Sequence, residues 1–153
     1  MGPGGPPPPR RAGRRAAPDV LAVIAVGGAL GTLARYGVTR AIPVAAGTFP
    51  WATFLENLSG AFVIGAFLTF VLERYPPTRY LRSFFAIGVL GGFTTFSTMA
   101  VEAVTLVKDG HAPLGIGYLG SSIAAGLVIC YLGVVLARSV PFGRPAPPRE
   151  RES

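Results

Sequence analysis

The sequence is poor in the residues that build catalytic and metal centres. Its 153 residues include one cysteine, Cys130, and one histidine, His111, so it has neither a disulfide framework nor the ligand spacing of a zinc site. It also lacks a paired nucleophile and base, and a glycine loop placed before a helix to hold phosphate. These absences predict that the protein is not an enzyme. Cys130 is interpreted as a packing residue and His111 as a loop residue.

Charged residues are also scarce. They make up 14% of the chain, whereas hydrophobic residues make up 50%. The net charge of +7 does not come from a basic stripe interleaved with aromatic residues, so nucleic-acid binding is not predicted. Instead, the charges lie at the chain ends and between apolar runs, as in a polytopic membrane protein. We expect one compact unit in the lipid bilayer, with arginines that anchor it to headgroups.

The distribution of apolar runs predicts an all-α membrane protein with four transmembrane helices. Residues 1–18 and 139–153 are rich in proline and arginine, and we expect both to be disordered tails. Residues 19–138 form the predicted four-helix transmembrane channel domain. The four spans are expected at about residues 19–38, 51–72, 82–107 and 114–137.

Basic residues are distributed unequally between the two sides of the predicted bundle. Four spans place both termini on one side, together with eleven of the fourteen lysines and arginines. The other side has Arg35, Arg40 and Lys108. Under the positive-inside rule, this bias predicts that both termini are cytoplasmic. The eleven are Arg10, Arg11, Arg14, Arg15, Arg74, Arg79, Arg82, Arg138, Arg144, Arg149 and Arg151.

A stretch within the third span differs from an ordinary apolar helix. Residues 88–99, GVLGGFTTFSTM, contain a glycine pair, three threonines and a serine. A helix broken near Gly91 and Gly92 exposes backbone carbonyls that lipid cannot hydrogen-bond, so they must face protein, an ion or water. We interpret this stretch as the wall of an ion path.

Further polar residues in the spans either join helices to one another or line that path. Hydroxyl and amide donors without a buried lysine suit a small, strongly hydrated anion, because such donors replace its water. The positive ring edge of Phe96 is a candidate anion contact, although the same residue also suits simple packing. Residues that share helix faces are Thr53 with Asn57, Thr95 with Thr98 and Glu102, and Tyr118 with Ser122.

Two carboxylates oppose an anion path. Glu56 and Glu102 repel anions unless they are protonated or paired with Arg35 or Arg82. A carboxylate in a four-helix membrane protein also permits a second hypothesis, which is a small proton-coupled multidrug exporter of organic cations. The residue types and spacings leave both hypotheses open.

Three motifs in the spans resemble those of a known family. They are GALGTLARY at Gly28–Tyr36, TFLENLSGAF at Thr53–Phe62 and GGFTTFST at Gly91–Thr98. In this order and spacing they resemble the fluoride channel family (Fluc/CrcB) of bacterial membranes. The resemblance covers about residues 20–137 and leaves out both tails.

The resemblance implies a passive fluoride-selective channel of the bacterial inner membrane, built as an antiparallel dimer with two pores, that protects the cell from fluoride. It further implies a structural sodium ion at the dimer centre, bound by backbone oxygens of Gly91 and Thr94, and a pore-mouth or helix-end charge at Arg35. The implied fluoride pathway residues are Asn57, Phe96, Met99, Thr53, Ser97, Thr98, Glu102, Tyr118 and Ser122.

The sequence departs from the family pattern at two positions. Met99 occupies the place of the second of two phenylalanines, and Glu56 that of an apolar residue before the asparagine. An antiparallel homodimer also requires a sequence that inserts in both orientations, which conflicts with the strong charge bias. We therefore favour a heterodimer with a related, oppositely oriented subunit over a homodimer.

Overall fold

The computed structural model describes residues 18–74 and 79–140, all of whose regular structure is helical. Within these residues, four helices are long and apolar enough to cross a membrane, which confirms the predicted all-α fold class with four spans. The expected disordered tails lie outside the described residues, apart from Pro18, Ser139 and Val140, and stay a prediction. The helices are α1 (Pro18–Ala41), α2 (Trp51–Arg74), α3 (Arg79–Arg82), α4 (Leu90–Phe93), α5 (Phe96–Lys108) and α6 (Ala112–Ser139), with a π-helical segment at Ser83–Val89 between α3 and α4.

Proline and acidic residues explain several helix ends. α1 begins at Pro18. Proline lacks a backbone N–H, which costs nothing in the first turn because an N–H there has no partner within the helix, and Asp19 complements the positive end of the helix dipole. Pro43 follows the end of α1, Pro50 precedes α2, and Pro113 lies in the first turn of α6. The loops are therefore encoded locally.

The third span, Arg79–Lys108, is not a continuous α-helix. After the π-helical segment and α4, Thr94 and Thr95 have extended backbone angles, with ψ of 151° and 111°. The glycine pair at which the sequence analysis expected an interruption, Gly91 and Gly92, lies inside α4. The two extended residues, Thr94 and Thr95, directly follow the end of α4 at Phe93.

Glycines allow close contact between the first and third spans. The position of a Cβ atom on Gly31 overlaps the carbonyl oxygen of Val89, and one on Gly92 overlaps that of Gly28. A Cβ on Gly27 lies 2.5 Å from the carbonyl oxygen of Phe84, closer than real Cβ contacts allow. The small residues of α1 thus pack directly on the backbone of the π-helical segment and α4.

α6 packs against α2 and α5 and completes the bundle. Gly65 of α2 lies against the backbone of Cys130, and Gly133 of α6 against that of Phe62. Near the loop between α5 and α6, Met99, Ala103, Leu106 and Tyr118 form a buried apolar core. The side chains that pack against this core are Phe49, Phe54, Leu114 and Leu119.

The outward faces of the bundle remain apolar, as lipid or another membrane subunit requires. Leu33, Ile116 and Leu127 each expose more than 60% of their surface. At the end of the bundle that holds Pro18, Arg79 pairs with Asp19 at 2.6 Å, and the Tyr80 hydroxyl donates to the same carboxylate. This exposed group of side chains links the start of α1 to the start of the third span, at modest energetic gain.

Candidate functional site

The first feature of the site is a side chain that replaces a helical hydrogen bond. In a continuous helix, the N–H of Thr95 would donate to the carbonyl of Gly91. Here it donates to Oδ1 of Asn57 at 2.9 Å, and Nδ2 of Asn57 donates to the Thr95 carbonyl at 3.1 Å. Asn57 therefore satisfies the peptide groups of a non-helical residue inside the bundle.

This pairing releases the carbonyl of Gly91 from its helical partner. A Cβ on Gly91 meets no heavy atom within 4 Å, so the residue borders open space. Thr94, the second predicted sodium ligand, directs both its N–H and its hydroxyl to the Leu90 carbonyl, at 2.9 and 2.8 Å. A freed backbone carbonyl is a suitable oxygen ligand for a hard cation, so this part of the chain fits the sodium expected there.

The N-terminal end of α5 is rich in hydroxyl groups. Thr95 caps the helix, because its Oγ1 accepts the N–H of Thr98 at 3.1 Å. The same hydroxyl donates to the Thr98 hydroxyl at 2.9 Å and lies 3.3 Å from that of Ser97. Thr95, Ser97 and Thr98 are thus joined to one another at the first turn of the helix.

Three spans meet at Glu102. Its Oε1 accepts the Thr53 hydroxyl of α2 at 2.8 Å, and its Oε2 accepts the Tyr118 hydroxyl of α6 at 2.8 Å. Thr53 and Tyr118 are almost fully buried, at 4% and 0% exposure. Pairing with an arginine, one of the two alternatives that the sequence analysis left open, is not among the contacts of Glu102 with the described residues. Two neutral donors engage it instead.

One buried hydroxyl has no such partner. Ser122 lies one turn beyond Tyr118 on α6 and is 5% exposed. Among the side chains that the structure describes, its Oγ is the one fully buried polar atom without a hydrogen bond. A buried unpaired hydroxyl costs about 1–3 kcal/mol, so it calls for a partner such as water or an ion.

A cavity of about 440 Å³, which we name the mouth cavity, lies beside this network. Arg35 contributes a positive charge from α1, and Glu56 and Glu102 contribute carboxylates from α2 and α5. Glu56 is 1% exposed and accepts the Thr39 hydroxyl at 2.9 Å. The residues that line the mouth cavity are Thr32, Arg35, Tyr36, Thr39, Ile42, Val44, Ala52, Thr53, Glu56, Thr95, Thr98 and Glu102.

The structure separates some of the predicted pathway residues. Phe96 is 71% exposed and Ser97 is also exposed, whereas Met99 is 5% exposed and belongs to the apolar core. Thr53, Glu102 and Tyr118 come together in one network, with Ser122 nearby on α6. The role of each residue along a fluoride path stays a prediction.

Sequence reasoning missed Thr39, the hydrogen-bond partner of Glu56. A local signal for it exists, because Thr32, Arg35 and Thr39 follow one another at i, i+3 and i+7 along α1. This spacing puts a polar face on a helix that otherwise faces lipid or protein. The partner itself, 17 residues further along the chain, has no local signal.

Comparison with protein families gives a match between residues 22–134 and the family described as CrcB-like protein, Camphor Resistance (CrcB). The chain is similar to Fluoride-specific ion channel FluC 1 of Streptomyces coelicolor, with 45% identity over 130 residues, which are 85% of this chain and 84% of the relative.

Two proteins of Streptomyces avermitilis are also similar. Fluoride-specific ion channel FluC 3 is 46% identical over 119 residues, 78% of this chain and 58% of the relative. Fluoride-specific ion channel FluC 2 is 43% identical over 117 residues, 76% of this chain and 74% of the relative. With a family match over most of its length and relatives of this similarity, the chain belongs to the CrcB-like family, the Fluc/CrcB family that its three motifs resemble.

Proposed function

We propose that the chain forms a passive channel through which fluoride leaves the cell down its gradient, which lowers cytoplasmic fluoride. Its relatives are named fluoride-specific ion channels. The observation that carries the proposal is a set of buried hydroxyls: Thr53 and Tyr118 donate to Glu102, and Ser122, one helical turn from Tyr118, has no hydrogen-bond partner among the described residues. Neutral donors in this arrangement replace the water of a small anion without trapping it.

Glu102 has a definite place in this proposal. Because Thr53 and Tyr118 both donate to it, the carboxylate holds two hydroxyls in the bundle interior and its charge is partly neutralised. A passing fluoride competes with Glu102 for these donors. The carboxylate thereby orders the donors when no anion is present, and it prevents tight anion binding.

The alternative function, a proton-coupled multidrug exporter of organic cations, has no support from the family or its relatives. Such an exporter needs a membrane carboxylate that is free to exchange protons for cations. Each oxygen of Glu102 instead accepts a hydroxyl, and Glu56 accepts one from Thr39. We do not propose this function.

The proposed channel is a dimer of antiparallel subunits, and we favour a related chain as the partner. Phe96 lies on the outside of the single chain with 71% exposure, so it reaches an ion path only if a second subunit covers it. The two similar proteins of S. avermitilis are an example of related chains in one organism. The charge bias of the sequence supports a single orientation for this chain.

A sodium ion at the dimer centre completes the proposed assembly. One chain offers the freed carbonyl of Gly91, and Thr94 lies beside it. Because a hard cation needs several oxygen ligands, a single chain does not supply the whole coordination shell. Matching groups from the second subunit would close the site, with sodium as a structural rather than a transported ion.

Fluoride efflux from proteoliposomes tests the proposal. Vesicles loaded with potassium fluoride, or with potassium chloride, are reconstituted with this chain alone or with a related subunit, and the ionophore valinomycin lets potassium leave with the anion. Released fluoride and chloride are followed with the corresponding ion-selective electrodes. We expect efflux that needs no proton gradient, with no equivalent release from vesicles loaded with chloride. Absence of fluoride efflux under both conditions would contradict the proposed function.

A pair of tyrosine variants tests whether the buried hydroxyl of Tyr118 contributes to the fluoride path. Tyr118→Phe removes a hydroxyl that donates to Glu102, so we expect fluoride efflux to fall by about ten-fold, equivalent to roughly 1.4 kcal/mol. Tyr131→Phe is the matched control, because Tyr131 lies on the same helix and is 67% exposed. Equal efflux from the two variants would remove Tyr118 from the path.

A further inference from the structure

We propose that Glu56 sets how readily anions occupy the mouth cavity, because its carboxylate offsets the positive charge of Arg35. This inference rests on the proposed function and adds to it a residue that controls anion occupancy. Glu56 directly precedes Asn57, and it is one of the two positions at which the sequence analysis found a departure from the pattern that the motif resembles.

The position of Glu56 is fixed from two helices. It lies in the second turn of α2 with 1% exposure, and the Thr39 hydroxyl of α1 donates to its Oε1 at 2.9 Å. Thr39 lies one helical turn after Arg35, so both occupy the same face of α1. This hydrogen bond therefore holds the carboxylate at the wall of the cavity that Arg35 also lines.

The other ionisable groups at the mouth cavity are Tyr36 of α1 and Glu102 of α5. Both oxygens of Glu102 already accept hydroxyls, from α2 and α6. Arg35 forms no hydrogen bond or ion pair with another residue that the structure describes. Arg35 and Glu56 are thus a cation and an anion that line one cavity from α1 and α2 without a hydrogen bond or salt bridge between them.

Electrostatics gives the consequence of this arrangement. An anion in the mouth cavity is attracted by Arg35 and repelled by Glu56, and both interactions are stronger beside a buried wall than in water. A neutral residue at position 56 leaves the charge of Arg35 fully available. Glutamine is suitable because its side-chain oxygen still accepts the Thr39 hydroxyl and the volume changes little.

The test is a double-mutant cycle of wild type, Glu56→Gln, Arg35→Gln and the double variant. It is measured as fluoride efflux against fluoride concentration, with this chain alone or with a related subunit, whichever conducts. We expect Glu56→Gln to lower the half-saturating fluoride concentration at least about five-fold, the order expected for removing one nearby unit charge. In the Arg35→Gln background, the same substitution should change it less than two-fold, since the charge it offsets is gone.

Asp109→Asn is the matched control. It removes the same charge from an exposed loop residue at the same end of the bundle, outside the mouth cavity, and should leave the half-saturating concentration unchanged. Flux is normalised to folded protein from size-exclusion chromatography, and Thr39→Val reports loss of the positioning hydrogen bond without a change of charge.

The outcomes separate the two proposals. Efflux from wild type together with an unchanged or raised half-saturating concentration for Glu56→Gln overturns this inference and leaves the channel function standing. The same shift for Glu56→Gln with and without Arg35 overturns the competition between the two residues. No fluoride efflux from wild type under either condition overturns the proposed function, and this inference with it.

Discussion

At the scale of single residues, Asn57 takes the place of a backbone hydrogen-bond partner. Its amide presents a donor and an acceptor side by side, as a peptide group does, and both pair with Thr95. One of its two N–H groups is thereby engaged. Asparagine at this position therefore has a structural role that the sequence motif alone did not predict, beside its expected place on the fluoride pathway.

Asn57→Ala should destabilise the bundle by roughly 2–4 kcal/mol, because it leaves the buried N–H and carbonyl of Thr95 unpaired. Thermal unfolding of the detergent-solubilised protein measures the loss. Asn57→Asp, which accepts one hydrogen bond but donates none, should fall between Asn57→Ala and wild type. Ser59→Ala, an exposed change on the same helix, is the control. Equal stability of Asn57→Ala and Ser59→Ala would disprove the stabilising role of the two hydrogen bonds between Asn57 and Thr95.

Ser122 offers the opposite test, since its hydroxyl has no structural partner among the described residues. Ser122→Ala should leave thermal stability unchanged or raise it by about 1 kcal/mol, because it removes an unsatisfied buried group. Fluoride efflux should nevertheless fall several-fold. The neighbouring Ser121→Ala, which changes an exposed hydroxyl bonded to the Tyr118 carbonyl, should leave efflux unaltered. Loss of stability without loss of efflux would assign Ser122 to packing.

At the scale of elements, the contact of α1 with the third span depends on small residues at a four-residue spacing. Gly27 and Gly31 lie four residues apart, a spacing that lets two helices approach closely, and both are buried. What they pack against is a π-helical segment, Ser83–Val89, whose wider turn has no comparable signal in the sequence. The sequence thus indicates the α1 side of this contact, but not the backbone geometry of the segment that α1 packs against.

Two alanine substitutions on α1 separate packing from helix propensity. Gly31→Ala forces a methyl group into the Val89 carbonyl and should destabilise the protein by about 2–3 kcal/mol. Gly37→Ala meets no heavy atom within 4 Å and should be neutral or stabilise by up to about 1 kcal/mol. Thermal unfolding in detergent distinguishes the two. A stable Gly31→Ala variant would mean that α1 lies further from the third span.

At the scale of the whole molecule, the single chain leaves apolar faces, the Gly91 position and Phe96 uncovered. Lipid suits the apolar faces but cannot pair with a freed carbonyl. The second subunit that we propose would cover all three features. The family places this chain in the membrane, and co-expression with a related chain tests the proposed partner.

The charge bias gives a prediction for orientation. Eleven of fourteen basic residues on one side should hold the chain in a single orientation with both termini in the cytoplasm. A C-terminal fusion to green fluorescent protein should therefore fluoresce, and a fusion to alkaline phosphatase should be inactive. Activity of both reporters would indicate insertion in two orientations, which would favour the homodimer instead.

The sequence by itself determined the features that are local in the chain. Hydropathy gave the four spans, prolines gave several helix ends, and three short motifs gave the family, because each is encoded within one continuous segment. The clustering of hydroxyls around Gly91–Thr98 was visible for the same reason. Spacing along a helix also put Thr95, Thr98 and Glu102 on one face.

Only the tertiary structure decided which partners those residues have. Asn57 contacts Thr95, which is 38 residues further along the chain, and Thr53 contacts Glu102, which is 49 residues further along. Helical periodicity cannot predict contacts at such sequence separations. Phe96 and Met99 are three residues apart, yet α6 packs against α5 on the side that buries Met99 and leaves Phe96 outside. Burial depends on which helix lies opposite, and that choice is made by the packing of the whole bundle.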